Sequence, residues 1–323
     1  MSAEISVIVP SYNRGKLIRP TLDSILGQSH RPFEVIVVDD GSTDDTEIVV
    51  AQYGASVKYI RIENSGPPRA RNRGAAASTA PWLAFCDSDD LWHPEKLRLQ
   101  VRLFDEVPDL EYGFTNCRTV VGEEWAESTK FDSLPFGYWD LKQRSVDTDL
   151  FVVEESMFGR LLIRQPVFPS TVMMKRAFFE KVGGWQESLG RNPAEDVEFH
   201  LRCVDQTRIG VVSRAVVGIR KHDRNFSGDS LRTRIGDIEM LNFVRSHNPA
   251  ASKYSSVIEE RIIAASGSAA EEAFAIGDIQ TMKRLLKGVP FHKRTWKLHV
   301  KSLAAYCPES VTQFLLGKSS SRR

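Results

Sequence analysis

Apolar and polar positions along the first hundred residues repeat in two periods. The run Ile5-Ser6-Val7-Ile8-Val9, ended by Pro10, has the length and nearly continuous apolar character of a strand buried on both faces. Ile18, Leu22 and Ile25 then recur at i, i+4 and i+7, which predicts a helix over 16–26 with Gly27 near its C-terminus. The strand signature returns at 34–38 (EVIVV), and Asp39-Asp40-Gly41-Ser42-Thr43 reads as a turn and cap opening a helix that ends near Gly54. A third strand is expected over 57–62. Gly66-Pro67-Pro68 then breaks the chain before a helix of small residues through 71–77. Residues 82–86 form a fourth strand, followed by Asp87-Ser88-Asp89-Asp90 and a helix carrying Leu97, Val101 and Phe104. Strand–helix alternation at this spacing predicts a parallel, doubly wound α/β sheet. Such sheets bind ligands outside the carboxyl ends of their strands, where the polar clusters at 10–14, 39–43 and 87–90 fall.

Between about 118 and 168 the pattern dissolves into aromatic and acidic loop, a segment of the length used for substrate lids. Residues 195–204 (EDVEFHLRCV) predict a helix with Val197, Leu201 and Val204 on one face. Two short strands (211–213 and 216–220) follow, and 232 onward reads mainly as helix. No internal repeat is present.

Of the 323 residues, 41% are hydrophobic and 26% charged, which excludes disordered, collagen-like and disulfide-scaffold classes. Cys86, Cys117, Cys203 and Cys307 are far apart, with no metal-finger spacing, and read as reduced, buried residues. The opening apolar run is too short for a signal-peptide core, and no stretch approaches the ~18 apolar residues of a spanning helix. A cytoplasmic location is therefore expected, unless the chain is tethered to a surface. The net charge of +1 conceals a split: 279–323 carries ten Lys+Arg against Glu309, so +9, leaving −8 on 1–278. Trp296, Phe291 and several leucines lie between those cations, as on a helix resting against an anionic membrane; a helical subdomain with a solvated basic face has the same composition. No nucleic-acid motif accompanies the basic end, and a nucleic-acid partner is not expected.

No G-x-G-x-x-G follows the first strand and no G-x-x-x-x-G-K-[ST] occurs, so dinucleotide and P-loop chemistries lose their main support. Carboxylates occupy the strand ends instead. Asp87-Ser88-Asp89 is a D-x-D at a chain reversal, where packed carboxylates repel unless a cation or hydrogen-bond donors compensate them. Few protein oxygens, completed by phosphate and water, suit Mg2+ or Mn2+. Taken singly, DSDD and DDGSTDD are more often turns and helix caps than ligand sites.

Together, VPSYNR, VVDDGSTD about thirty residues on, ARNRG, FCDSDD and EDVEF resemble, in order and spacing over 4–228, the family 2 glycosyltransferases of the GT-A fold. The resemblance implies a Rossmann-like, mostly parallel sheet flanked by helices, with a helical C-terminal extension. It also implies a GT-A domain over 1–230 (nucleotide half 1–117, acceptor half 118–230) and an extension over 231–323. By position, Pro10, Tyr12 and Arg14 would line the base and ribose pocket of a nucleotide-sugar donor. Asp40 would accept from the uracil ring, and Arg71, with Arg69 a substitute, would approach the base or diphosphate. Asp87, next to Ser88, would hold the ribose, or the metal through water, and Asp89 would ligate the metal. Glu195-Asp196 resembles the family's ED pair, in which Asp196 is the base and Glu195 orients it or contacts the acceptor. At the first turn of a helix the dipole would favour ionised Asp196. The segment 220–227 resembles R-x-H-x-x-N-x-S, implying His222 as a metal ligand and Arg220, Asn225 and Ser227 on phosphate oxygens. Trp185 falls where the family places its acceptor-side wall. A metal-stabilised leaving group and one base imply a single displacement with inversion.

Processive synthases of this family carry Q-x-x-R-W and membrane spans; neither is found, which favours single-sugar transfer to a saccharide or lipid-linked acceptor. A sugar-nucleotide pyrophosphorylase would want a G-x-G-T-R-x-x-P loop where VPSYNRGK stands. A non-catalytic scaffold would have lost Asp89 or Asp196, and both are present.

Overall fold

The computed structural model describes residues 3–222 and 230–305. It divides into two compact units, Met1–Arg191 with Glu195–Asp223, and Asn192–Ala194 with Arg224–Arg323. The first unit runs β1 (Ile5–Ser11), α1 (Ile18–Leu26), β2 (Glu34–Asp39), α2 (Thr46–Ala51), β3 (Lys58–Arg61), α3 (Pro67–Ala77), β4 (Trp82–Phe85), β5 (Leu91–Trp92) and α4 (Lys96–Glu106). It continues with β6 (Tyr112–Val121), β7 (Glu124–Thr129), β8 (Gln143–Ser145), β9 (Leu150–Val153), α5 (Phe158–Ile163), β10 (Val172–Lys175), α6 (Arg176–Lys181), α7 (Glu195–Gln206) and β11 (Ile209–Lys221). Its sheet has the order β3-β2-β1-β4-β10-β6-β11-β9-β8, with β5 added to β11 and β7 to β6.

The first four strands pair in parallel, as the alternation predicts. β10 is antiparallel to both β4 and β6, so β6 runs with β4 again, and β11 is parallel to β6. The carboxyl ends of β1, β2, β4, β6 and β11 therefore point the same way. All seven residues of β1 are buried, including Pro10, and the strand continues past it to Ser11. Pro10 is tolerated because Ile8, two residues earlier, faces β4 and accepts from the Cys86 N–H at 3.0 Å. Pro10 faces the same side beyond the end of β4, where no ladder bond needs its missing N–H. The Gly66-Pro67-Pro68 break is likewise the start of α3: both prolines occupy its first turn, where backbone N–H groups have no helical partner. Gly74 lets α3 lie close on β1, since a Cβ there would meet Ile8 Cγ2 at 2.4 Å.

The expected 118–168 loop is largely structured. β6 to β9 and α5 occupy it, and β7 and β8 are almost wholly exposed. Two-sided solvent contact leaves no apolar alternation to read, and these strands exist by pairing with β6 and β9. The two strands expected at 211–213 and 216–220 are one, β11, irregular between Val212 and Val217.

The second unit holds α8 (Ser230–His247), α9 (Ser255–Ala275), α10 (Ile279–Leu286) and α11 (Trp296–Ala305). Ala269, Ala270 and Ala273 of α9 make room for Met282, Leu285 and Leu286 of α10 and Leu298 of α11. Phe291, Trp296, Val300 and Leu303 are 73%, 71%, 53% and 72% exposed. No helix among the described residues is long and apolar enough to cross a membrane. Cys86, Cys117 and Cys203 are buried free thiols; Cys307, Asn225 and Ser227 lie outside the described residues.

Candidate active site

Three loops at the carboxyl ends of β1, β2 and β3 are laced together by backbone donors. Asn13, left-handed at φ +53°, accepts from the Thr43 N–H at 2.8 Å, while its own N–H donates to Ser42 Oγ at 2.9 Å. The Arg14 N–H donates to Thr46 Oγ1 and the Gly15 N–H to Asp44, at 2.9 and 3.0 Å. Of the paired acids ending β2, Asp39 is structural: it accepts from the Ser42 N–H at 2.8 Å and the Tyr59 hydroxyl at 2.5 Å. Asp40 accepts from the Ser65 and Gly66 N–H groups at 2.6 and 2.9 Å, one on each oxygen. It thereby shapes the loop entering α3, leaving one further lone pair per oxygen for a ligand donor. Tyr12, half-exposed beyond Pro10, has the Arg191 guanidinium 5.1 Å above its ring; sequence reasoning did not single out Arg191.

The loop after β4 gathers Asp87, Asp89 and Asp90. Asp89 Oδ2 meets Arg14 Nε at 3.2 Å and His222 Nε2 at 3.1 Å, so residues 14, 89 and 222, far apart in sequence, converge; Arg14, expected on the base and ribose, pairs with Asp89. Asp90 is buried, accepting from Ser170 Oγ at 2.5 Å and the Arg220 N–H at 3.1 Å. Burial, then the Asp89 and Asp87 charges, push its carboxyl well above the ordinary range, and its two accepted hydrogen bonds brace the loop. Ser88 is buried, its carbonyl accepting from Thr21 Oγ1 at 3.1 Å. Arg220, expected on phosphate oxygens, instead donates to the Leu17 carbonyl at 2.7 Å, Thr21 Oγ1 at 2.8 Å and the Asp89 carbonyl. Its guanidinium staples this loop to α1.

Arg71 is also placed otherwise than expected. It is 3% exposed and bridges two acids, Nη2 to Asp87 Oδ1 at 2.8 Å and Nη1 to Glu195 Oε1 at 2.6 Å. Its guanidinium lies 4.5 Å over the Trp185 ring. Trp185, expected to wall the acceptor, is 2% exposed and stacked on Phe199 with ring centres 3.9 Å apart. It presents no open face and acts as the floor under Arg71. Asn72 fixes the arrangement, accepting from the Trp185 N–H at 2.8 Å and donating to the Trp185 carbonyl at 2.9 Å. Asn72 also donates to Glu187 Oε1 at 2.9 Å; nothing in the ARN motif itself signals these partners, which lie more than 110 residues away. Arg69 is exposed, with Nη1 3.2 Å from Ser65 Oγ.

Glu195 and Asp196 open α7, as the sequence predicts. Burial raises the Glu195 carboxyl, with Arg71 opposing, and its Oε2 is buried without a partner. Burial and the Glu195 and Asp87 charges push the partly exposed Asp196 up to about 7, against Arg71 and the Val197 N–H. These influences act against the helix dipole, which the sequence reading expected to favour the ionised form. The dipole is worth ~0.3–1 kcal/mol, whereas each pKa unit is ~1.4 kcal/mol.

Asp89 and His222 are a hard oxygen and an imidazole nitrogen converging from two loops. That donor pair fits a Mg2+ or Mn2+ ion whose remaining positions are filled by ligand oxygens and water. No group of three or more such donors forms a ready-made cage among the described residues.

The fold matches known structures over nearly its whole length. Staphylococcus aureus TarS 1–349, solved with UDP-GlcNAc, superposes with a TM-score of 0.63 at 21% identity, covering 96% of this chain and 90% of that one. A mannosyltransferase, PcManGT of Pyrobaculum calidifontis, solved with GDP-Man and Mn2+, gives a TM-score of 0.56 at 16% identity over 99% and 80%. The architecture is that of the GT-A glycosyltransferases. Residues 6–163 match the model of glycosyl transferase family 2. An uncharacterized glycosyltransferase of Rickettsia bellii is 41% identical over 106 residues, 32% of this chain and 15% of the relative. TuaG of Bacillus subtilis, whose name ties it to teichuronic acid biosynthesis, is 42% identical over 106 residues, 32% of this chain and 42% of TuaG. Matches to three Rickettsia relatives span only 15–17% of their length.

Proposed function

We propose that this chain transfers one sugar from a nucleotide-diphospho-sugar, with UDP as the nucleotide, to an acceptor hydroxyl with inversion. The observation that carries this reading is the chain of contacts that ties the Glu195-Asp196 pair at the start of α7 to the D-x-D loop, from Glu195 through Arg71 to Asp87. A base is thereby held at a fixed place relative to the acid that would face the donor diphosphate. Pro10, Tyr12, Arg14 and Asp40 would hold the nucleotide. Asp196 takes the proton from the acceptor hydroxyl as that oxygen bonds to the anomeric carbon and the bond to the diphosphate breaks on the opposite side. One displacement inverts the centre. Asp89 and His222 would hold a divalent cation, which when bound offsets negative charge on the departing diphosphate. The UDP and UDP-GlcNAc complexes of TarS and the Mn2+ complex of PcManGT support the donor class and the metal. The name of TuaG supports a saccharide or lipid-linked acceptor in cell-surface polysaccharide, lipopolysaccharide or glycolipid assembly. Such an acceptor would place the enzyme at the cytoplasmic membrane face, reached through the basic 279–323 segment. A panel of nucleotide-sugars with Mn2+, scored for released nucleoside diphosphate, tests the reading. Release from none of them, in the presence of mixed saccharide acceptors, refutes it.

A further inference from the structure

The D-x-D loop is fixed by side chains from distant parts of the chain. The Ser88 carbonyl accepts from Thr21 Oγ1 and the Asp89 carbonyl from Arg220, so α1 and β11 hold the middle of the loop. One residue holds both of its ends. Ser170 Oγ accepts from the Asp87 N–H at 2.9 Å, and its O–H donates to Asp90 Oδ2 at 2.5 Å. The other Asp90 oxygen accepts from the Arg220 N–H at 3.1 Å, two residues before His222. Asp89 is thus the middle of a span whose first N–H and last carboxyl meet on a single hydroxyl. Ser170 is itself held. It is completely buried in the turn Pro169–Thr171, which follows the 118–168 segment and leads into β10. The Trp92 indole N–H donates to the Ser170 carbonyl at 2.9 Å, and the Trp92 backbone N–H donates to Ser24 Oγ at 3.1 Å. Lys96 Nζ stands 3.6 Å from the centre of the indole ring. The indole is anchored at its backbone, its N–H and its face, and it fixes Ser170 in turn.

Three acids in four residues repel one another. A cation at position 170 could hold the same two groups, but it would also offset the charge that draws a metal to the loop. A neutral hydroxyl fixes the geometry and leaves that charge in place. Metal–ligand distances are tolerated only to within ~0.2 Å, so whatever sets the loop sets the affinity. We propose that Ser170 is a positioning residue of the D-x-D loop, which sets Asp89 for a divalent cation without touching it. Nothing in Pro169-Ser170-Thr171 signals this role, since the two partners lie 83 and 80 residues away. Removing the hydrogen-bond partners that orient metal ligands costs ~10–100-fold in metal affinity or activity. The proposal rests on the reading of Asp89 as a metal ligand, and the experiment separates the two.

The test titrates the full chain with UDP by calorimetry at a series of Mn2+ concentrations. In the wild type UDP affinity should rise with Mn2+ to a plateau. Ser170→Ala should need at least ~10-fold more Mn2+ to reach half of that rise, while the plateau affinity matches the wild type. Trp92→Phe keeps an aromatic face for Lys96 and removes the N–H that holds Ser170, so it should shift the midpoint in the same direction and by less. Because Trp92 acts through Ser170, Ser170→Ala/Trp92→Phe should need no more Mn2+ than Ser170→Ala. A merely structural role would lower UDP affinity at every Mn2+ concentration. An unshifted midpoint in Ser170→Ala, or a loss of UDP affinity that excess Mn2+ does not restore, overturns the proposal and leaves the metal reading standing. If Ser170→Ala fails to fold, Trp92→Phe decides alone, and its unshifted midpoint overturns the proposal. Wild-type UDP affinity that does not rise with Mn2+ sinks the metal reading, and the proposal with it.

Discussion

Arg71→Met removes the guanidinium between Asp87 and Glu195 and keeps most of its volume over Trp185. Both ion pairs are short, 2.8 and 2.6 Å, and the Arg71 and Glu195 side chains are only 4% and 8% exposed. Breaking a buried pair by deleting one partner leaves an uncompensated charge and costs about 3–5 kcal/mol. For a unit of this size that corresponds to a fall in Tm of roughly 6–20 °C. The loss should also depend on pH, with a definite sign. Burial already raises the Glu195 carboxyl, and Arg71 is the group that opposes the rise. Without it the folded-state pKa climbs further above the unfolded one. The deficit is then small where the carboxyl is protonated in both states and grows as pH rises through the ordinary carboxylate range. Thermal unfolding at pH 5 and pH 8 should show the larger fall at pH 8, and Arg71→Met/Glu195→Gln should recover part of it. A fall below 2 °C at pH 8, or equal falls at both pH values, would refute the keystone role of Arg71.

Asp196→Asn should lower kcat by a factor of ~10² or more with donor affinity retained, and loss of affinity at constant kcat would place Asp196 in the wrong half of the site. Because the base acts deprotonated, wild-type kcat/KM should fall as pH drops through about 7 and level off above it; a flat profile from pH 6 to 8 contradicts that role. Asp89→Asn should nearly abolish turnover with little change in thermal unfolding, and full activity in EDTA would exclude the metal. Trp296→Ser/Lys297→Glu, at exposed positions of α11, should weaken co-sedimentation with anionic vesicles; identical pelleting of variant and wild type would assign 279–305 a structural role alone. Surface substitutions are preferred to truncation at Asp278, because Met282, Leu285 and Leu298 belong to the core of the second unit.

What the sequence determined was local and periodic. β1, β2 and β4 were legible because strands buried on both faces read as apolar runs, and α1 and α4 because their buried residues recur as 3.6-residue stripes. Boundaries shifted where chain chemistry has two uses, as at Pro67-Pro68, which both ends one element and opens the next. The strand-end carboxylates and the ED pair at the start of α7 were legible for the same reason: their positions follow from the elements they terminate. β7 and β8 were invisible, since an exposed strand owes its existence to a partner far along the chain. Tertiary structure alone decided the fate of the long polar side chains. Arg71 reaches Glu195 across 124 residues and Arg220 reaches Leu17 across 203, so two cations expected on a ligand, Arg71 at the base or diphosphate and Arg220 on phosphate oxygens, are bound to protein. It also set the direction in which the Asp196 carboxyl is shifted. A carboxyl at a helix start is favoured as the anion by the local backbone, but burial and the neighbouring acids act through space, and they outweigh the dipole.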